Sequence, residues 1–162
     1  MYSLELMLKS QLSAIDGMIN RLLIKNVTSM GKPKSDILSG ELLKEYQTVA
    51  YMMEIYCKAH HRPRGKALCE QCEALLDYAE VRLDRCPYGQ SKPTCNRCPI
   101  HCYKPEPKAE MKAVMRYSGP RMLLPHPILA IRHLLHERRA QPTTKPAANQ
   151  SNRHLRSKTK GA

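Results

Sequence analysis

Cys57-Lys-Ala-His60-His61-Arg-Pro-Arg-Gly-Lys-Ala-Leu-Cys69-Glu-Gln-Cys72 is the stretch on which the fold turns. Residues 60–65 have the composition of a turn, and on either side of them apolar residues recur at helical spacing. Upstream, Leu38, Leu42, Tyr46, Val49, Met53 and Tyr56 form the inner face of a helix that Ser35 or Asp36 can cap and that runs to about Lys58. Downstream, Leu68, Cys72, Leu75, Leu76, Ala79 and Leu83 share one face of a helix over about 66–83. An antiparallel turn between the two would bring Cys57 and His60 or His61 back to Cys69 and Cys72.

Outward from this hairpin, Leu4, Leu8, Leu12, Ile15, Ile19 and Leu22 predict an amphipathic helix over about 3–26, ended by Met30-Gly31-Lys32-Pro33. From Cys86-Pro87 to Pro107 the chain has no periodicity and holds five of the 12 prolines, the look of an ordered loop that needs an external organiser. Short helices are expected over about 108–117 and 127–139. After Arg139 large apolar residues nearly vanish and acids are absent, so the tail is expected to be disordered. The fold class is therefore all-α, a helical hairpin plus short C-terminal helices with a Cys-rich metal-binding loop and a disordered basic tail. Its divisions are 1–34, an N-terminal helix and linker; 35–139, the Cys-rich helical domain; and 140–162, the tail.

The chain has no Phe and no Trp, so eight Tyr, nine Met and the aliphatic residues must supply a thin core, which a metal would help to staple. The net charge of +13 is uneven: 14 Lys and Arg oppose 11 acids through Tyr103, but 13 oppose three beyond it. No basic, apolar leader opens the sequence and no membrane span is evident, so a cytoplasmic location is expected. Thiols stay reduced there, which favours metal or redox chemistry over disulfides, and an odd total of seven cysteines agrees.

A continuous helix would hold Cys72 and Cys86 about 20 Å apart at about 1.5 Å per residue, too far to share an ion. Two partitions remain. In one, Cys57, Cys69, Cys72 and a histidine of the His60-His61 pair form a Cys₃His site, while Cys86, Cys95, Cys98 and Cys102 form a Cys₄ site. In the other, the loop returns along the helix, and Cys69 and Cys72 share a metal with two of Cys95, Cys98 and Cys102; about nine extended residues span close to 30 Å. The first closure is the one expected. The cofactor is an iron–sulfur cluster or zinc: Cys95-Asn-Arg-Cys98-Pro-Ile-His-Cys102 resembles ferredoxin ligand runs without reproducing them, and the spacing of the two Cys-x-x-Cys pairs is near that of zinc ribbons.

Plainer readings stand beside these. Cys57 and Cys72 lie on apolar faces, where buried free thiols are common. A thioredoxin-like dithiol at Cys95 and Cys98 lacks a surrounding βαβ pattern. His126, His133 and His136 sit on a basic helix and are expected in solvent, and Glu70, Glu73, Asp77, Glu80 and Asp84 read as the wet face of the second hairpin helix. No triad order, phosphate loop, dinucleotide turn or paired-carboxylate helix marks an active site.

Several unusual words occur in one order: Ile55-Tyr56-Cys57-Lys-Ala-His60-His61, Leu68-Cys69-x-x-Cys72-x-x-Leu75, Tyr78-Ala79 with Arg82-Leu83, Cys98-Pro-Ile-His-Cys102-Tyr103-Lys-Pro, and Val114-Met-Arg-Tyr-Ser-Gly-Pro-Arg-Met122. Together, over roughly 40–136, they resemble the nitrous-oxide-stimulated-promoter family, the YgbA-like small bacterial proteins. The resemblance implies a role in nitrosative stress, and a thiol-rich metal protein suits such a role. The function expected is thus a metal-binding stress protein holding a cluster or zinc. One alternative is a nucleic-acid-binding regulator using Arg116, Arg121, Arg132, Arg138 and Arg139 against phosphates, or against an acidic protein. Another is a thiol-dependent enzyme centred on Cys57 with His60 and His61.

Overall fold

The computed structural model describes residues 33–160 apart from 96, 97, 101, 139–145 and 147. The helix expected over 3–26 lies outside the described residues. Among the described residues five α-helices follow in order: α1 (Gly40–His60), α2 (Glu70–Asp84), α3 (Pro105–Arg121), α4 (Pro127–Glu137) and α5 (Asn152–Lys160), with a 3₁₀ turn at Gly89–Ser91. No strand occurs among the described residues, so the fold is all-α.

Helix α1 is the central element, packed against both α2 and α3. Leu42, Tyr46, Ala50, Met53 and Cys57 fall at three- and four-residue steps along it and are all buried. Its start differs from the sequence expectation. The Ser35 hydroxyl accepts from the Ile37 and Leu38 N–H groups at 3.3 and 3.0 Å, a local turn that uses the side chain instead of capping a helix. The helix begins at Gly40, where φ is +58° and a Cβ would lie 2.6 Å from Gln90 Oε1. That same oxygen accepts from the Glu41 N–H at 2.8 Å, and Gln90 Nε2 donates to Ser39 O at 3.2 Å. A glutamine of the loop thus caps a helix 49 positions upstream, satisfying one of its open donors.

Helix α3 is longer at both ends than the periodicity predicts. Pro105 suits a first helical position, where its missing N–H costs nothing. Ser118-Gly119-Pro120 does not interrupt the helix, because Pro120 falls in the last turn. Ser118 is fully buried and donates to Met52 O at 2.7 Å, fastening α3 to α1.

Part of the tail expected to be disordered is helical over Asn152–Lys160, and two polar anchors explain it. Asn152 Nδ2 donates to Ile37 O and to Asp84 Oδ1, both at 2.7 Å, and Arg156 reaches Asp84 Oδ2 at 3.1 Å. Asp84 is therefore not on a wet face. It is 5% exposed and receives both side chains.

Candidate metal centre

The hairpin turn gathers four ligand groups. Cys57 occupies the last turn of α1 and is fully buried. His61 is the residue on which that helix closes, its N–H donating to Cys57 O at 2.8 Å, and Arg62 then takes a left-handed φ of 49° to turn the chain. Cys69 is the cap residue of α2, with an extended backbone, and Cys72 stands one turn into the helix. The Cys69 N–H donates to Cys57 Sγ at 3.2 Å, while His61 Nδ1 lies 3.2 Å from both Cys69 Sγ and Cys72 Sγ. All four ligand atoms lie within 4.8 Å of one another, a Cys₃His set able to hold a metal.

Sequence alone left His60 and His61 equivalent. Packing separates them: the His60 ring lies 4.3 Å from the Tyr56 ring and 4.6 Å from the Tyr117 ring, an aromatic cluster completed by Arg121 over Tyr117. His61, exposed and next in the chain, is left to face the sulfurs.

The three thiols are electrostatically unequal. Burial opposes ionisation of Cys69, but the Cys72 N–H, the Cys57 and Cys72 thiols and His61 outweigh it and bring the group down to about 7. Burial pushes Cys72 up, and the neighbouring Cys69 and Cys57 push it further. Cys57 is likewise raised, mainly by burial. The folded chain thus favours the Cys69 thiolate, a contribution present in full above the ordinary value of 9.0 and lost as pH falls through about 7. In the metal-free, reduced chain, alkylation of Cys69 is expected to rise with pH through about 7, ahead of Cys57 and Cys72. Mass mapping of iodoacetamide adducts reads this directly, and a Cys72 that reacted first would contradict the geometry.

The other cysteines lie elsewhere. Cys86, just past α2, is buried; Cys98 and Cys102 are half-buried and Cys95 is exposed. Burial pushes the Cys86 and Cys102 thiols up, and neighbouring loop thiols add to it. Among the described residues, the set brought together as metal ligands is the hairpin one, and the Cys₄ set of the expected closure is not among such groups. Cys69 and Cys72 take Cys57 and His61 as partners, not the loop thiols of the alternative partition. His126 is half-buried rather than in solvent, stacked on Tyr51 at 3.9 Å between centroids. The side chains of His133 and His136 lie outside the described residues. Of the basic residues considered for phosphate contact, Arg121 donates to Tyr117 O at 2.8 Å and Arg132 pairs with Glu41.

Residues 40–146 match the family model described as nitrous oxide-stimulated promoter. The chain belongs to this family. It is also 44% identical over 106 residues to the uncharacterized protein YgbA of Escherichia coli (strain K12), which covers 65% of this chain and 89% of that protein. No solved structure matches. The matched span contains all seven cysteines and His61, so the hairpin site lies within the family's own region. No helix among the described residues is long and apolar enough to cross a membrane.

Proposed function

We propose that this member of the family is a metal–thiolate protein of the nitrosative-stress response, with Cys57, His61, Cys69 and Cys72 as ligands. The convergence of three sulfurs and one ring nitrogen within 4.8 Å carries the reading. Zinc bonds of about 2.3 Å to sulfur and 2.0–2.1 Å to nitrogen place neighbouring tetrahedral ligands about 3.5–3.8 Å apart, so small shifts close this set on one ion. A [4Fe–4S] cluster seats each ligand on its own iron and a [2Fe–2S] cluster divides four ligands between two irons, so either spreads the set more widely than a single ion does. The spacing therefore favours zinc at the hairpin over the cluster alternative.

Cys69 is the reactive edge, half-buried where Cys57 and Cys72 are buried. A nitrosating oxide such as dinitrogen trioxide would transfer its nitrosonium unit to the Cys69 sulfur, forming an S–N bond and releasing nitrite. The sulfur loses its negative charge and with it most of its hold on the metal. With a metal bound there, nitrosation would be converted into metal release, a signal or a buffer, in keeping with a family named for its response to a nitrogen oxide.

Anaerobic purification followed by elemental analysis tests the reading. At least one equivalent of zinc or iron is expected, with release to a chromogenic chelator when a nitrosating agent is added. A folded chain carrying neither metal would overturn it.

A further inference from the structure

We propose that the hairpin turn and the C-terminal end of α3 form a binding surface for single-stranded nucleic acid, on which the His60 ring and the Arg121 guanidinium stack bases while exposed cations beside them hold phosphates. The surface uses none of the four hairpin ligand groups.

Two flat, exposed groups stand where the end of α1 meets the end of α3, each backed by a half-buried tyrosine ring. His60 is tilted over Tyr56 at 4.3 Å between centroids, and the Arg121 guanidinium carbon lies 3.9 Å from the centre of the Tyr117 ring. The two pairs are fastened together: the His60 ring meets the Tyr117 ring edge-on at 4.6 Å, and Tyr56 meets Tyr117 edge-on at 5.8 Å. Arg121 is held further by its bond to Tyr117 O at 2.8 Å, which uses one of its five N–H donors. Imidazole and guanidinium planes are groups on which unpaired bases stack. Planes already packed on a ring lose little freedom when a base arrives.

The charge beside this platform has one sign. From Ile55 to Cys69 the chain holds Lys58, Arg62, Arg64 and Lys66 and no acid, and from Met111 to Arg121 it holds Lys112, Arg116 and Arg121 and no acid. Lys58 pairs with the buried Glu54 at 2.7 Å, but Arg62, Arg64, Lys66 and Arg116 are exposed. The turn that carries the first three leaves His61 and returns to Cys69, whose sulfur is 3.2 Å from the His61 ring. At about 3.5 Å per residue its tip therefore lies within about 14 Å of that base. Arg116 adjoins Tyr117 in α3. Past Cys69 the sign changes, and Glu70 and Glu73 in the first turn of α2 bound the surface on that side.

Planes combined with cations select among anionic partners. A membrane surface is met by exposed aliphatic side chains, and the large exposed ones among the described residues, such as Leu124 and Ile128, all lie outside the turn and outside α3. A duplex hides the faces of its bases and would leave both planes without a partner. An unpaired strand offers base faces and phosphates together.

Fluorescence anisotropy of a labelled DNA of about 12 nucleotides, single-stranded or annealed to its complement, tests this with the full chain from low to physiological salt. The single strand should bind about 5-fold or more tightly than the duplex. Four phosphate contacts at about 0.7 each give a slope of log affinity against log salt of about −3 or steeper, and Arg64→Ala should make it shallower by about 0.7. Arg121→Lys keeps the charge and removes the plane, so it should weaken the single strand about 5-fold or more at unchanged slope. His60→Ala should do the same, with His60→Phe keeping the affinity. Metal content is read on each variant, and Arg121 is no hairpin ligand, so a lost platform is distinguishable from a disturbed metal site. Equal affinity for single strand and duplex would reduce the surface to charge alone and overturn the proposal. Parent-like binding by both Arg121→Lys and His60→Ala would overturn it too, placing the affinity in the basic C-terminal residues. Tighter binding to phosphatidylglycerol vesicles than to the single strand would likewise overturn it in favour of a membrane.

Discussion

Cys72→Ser is expected to strip the hairpin of its metal and to lower the melting temperature by about 10 °C or more. The thiol is 3% exposed and sits beside Cys57, Cys69 and His61, so no water or nearby side chain can take its place at the ion. A serine hydroxyl is a poor ligand for a thiophilic metal and leaves a polar group where the apolar face of α2 meets α1. Metal binding to a small thiolate site is folding energy, on the order of 10 kcal/mol in peptide cases, and losing a quarter of the ligand set forfeits several of those. Elemental analysis and a circular-dichroism melt, with and without added zinc, measure both effects. A variant that kept its metal and melted with the parent would exclude Cys72 as a ligand.

Met53→Ala is expected to cost about 2–5 kcal/mol of unfolding free energy. Met53 is fully buried on α1, the helix packed against both α2 and α3, so its loss opens a space at that junction. With no Phe and no Trp in the chain, methionine supplies a large share of the packing volume, and Met122 is another fully buried example. Urea denaturation should show a lower midpoint at unchanged slope. A loss below about 1 kcal/mol would mean that the hairpin, not this helix junction, bears most of the stability.

The hairpin and its metal set were legible because both are local. Helical periodicity in α1 and α2 and the turn residues between them sit next to each other in sequence, and the ligands flank that turn. What escaped the sequence was decided by distant partners. His61 rather than His60 faces the sulfurs because Tyr117, far along the chain, takes His60 into an aromatic cluster. The start of α1 depends on Gln90, and the burial of Asp84 on Asn152 and Arg156. Lys92 and Thr94 read as ordinary loop residues, since nothing in a Pro- and Lys-rich run says which lysine is inside. Composition marked the last residues as disordered because it counts apolar content, and α5 is held by polar anchors instead.

The compactness of the hairpin set in sequence bears on how the chain is made. All four ligands lie between Cys57 and Cys72, so the set is complete when less than half of the chain has been synthesised. Closing so short a loop costs little entropy, and the N-terminal parts of a chain fold first during translation. The hairpin is thus expected to capture its ion on the nascent polypeptide, with the rest of the helices assembling on a turn already fixed. Metal supply at the ribosome, and not only in the finished protein's surroundings, would then set how much of the chain reaches its native form.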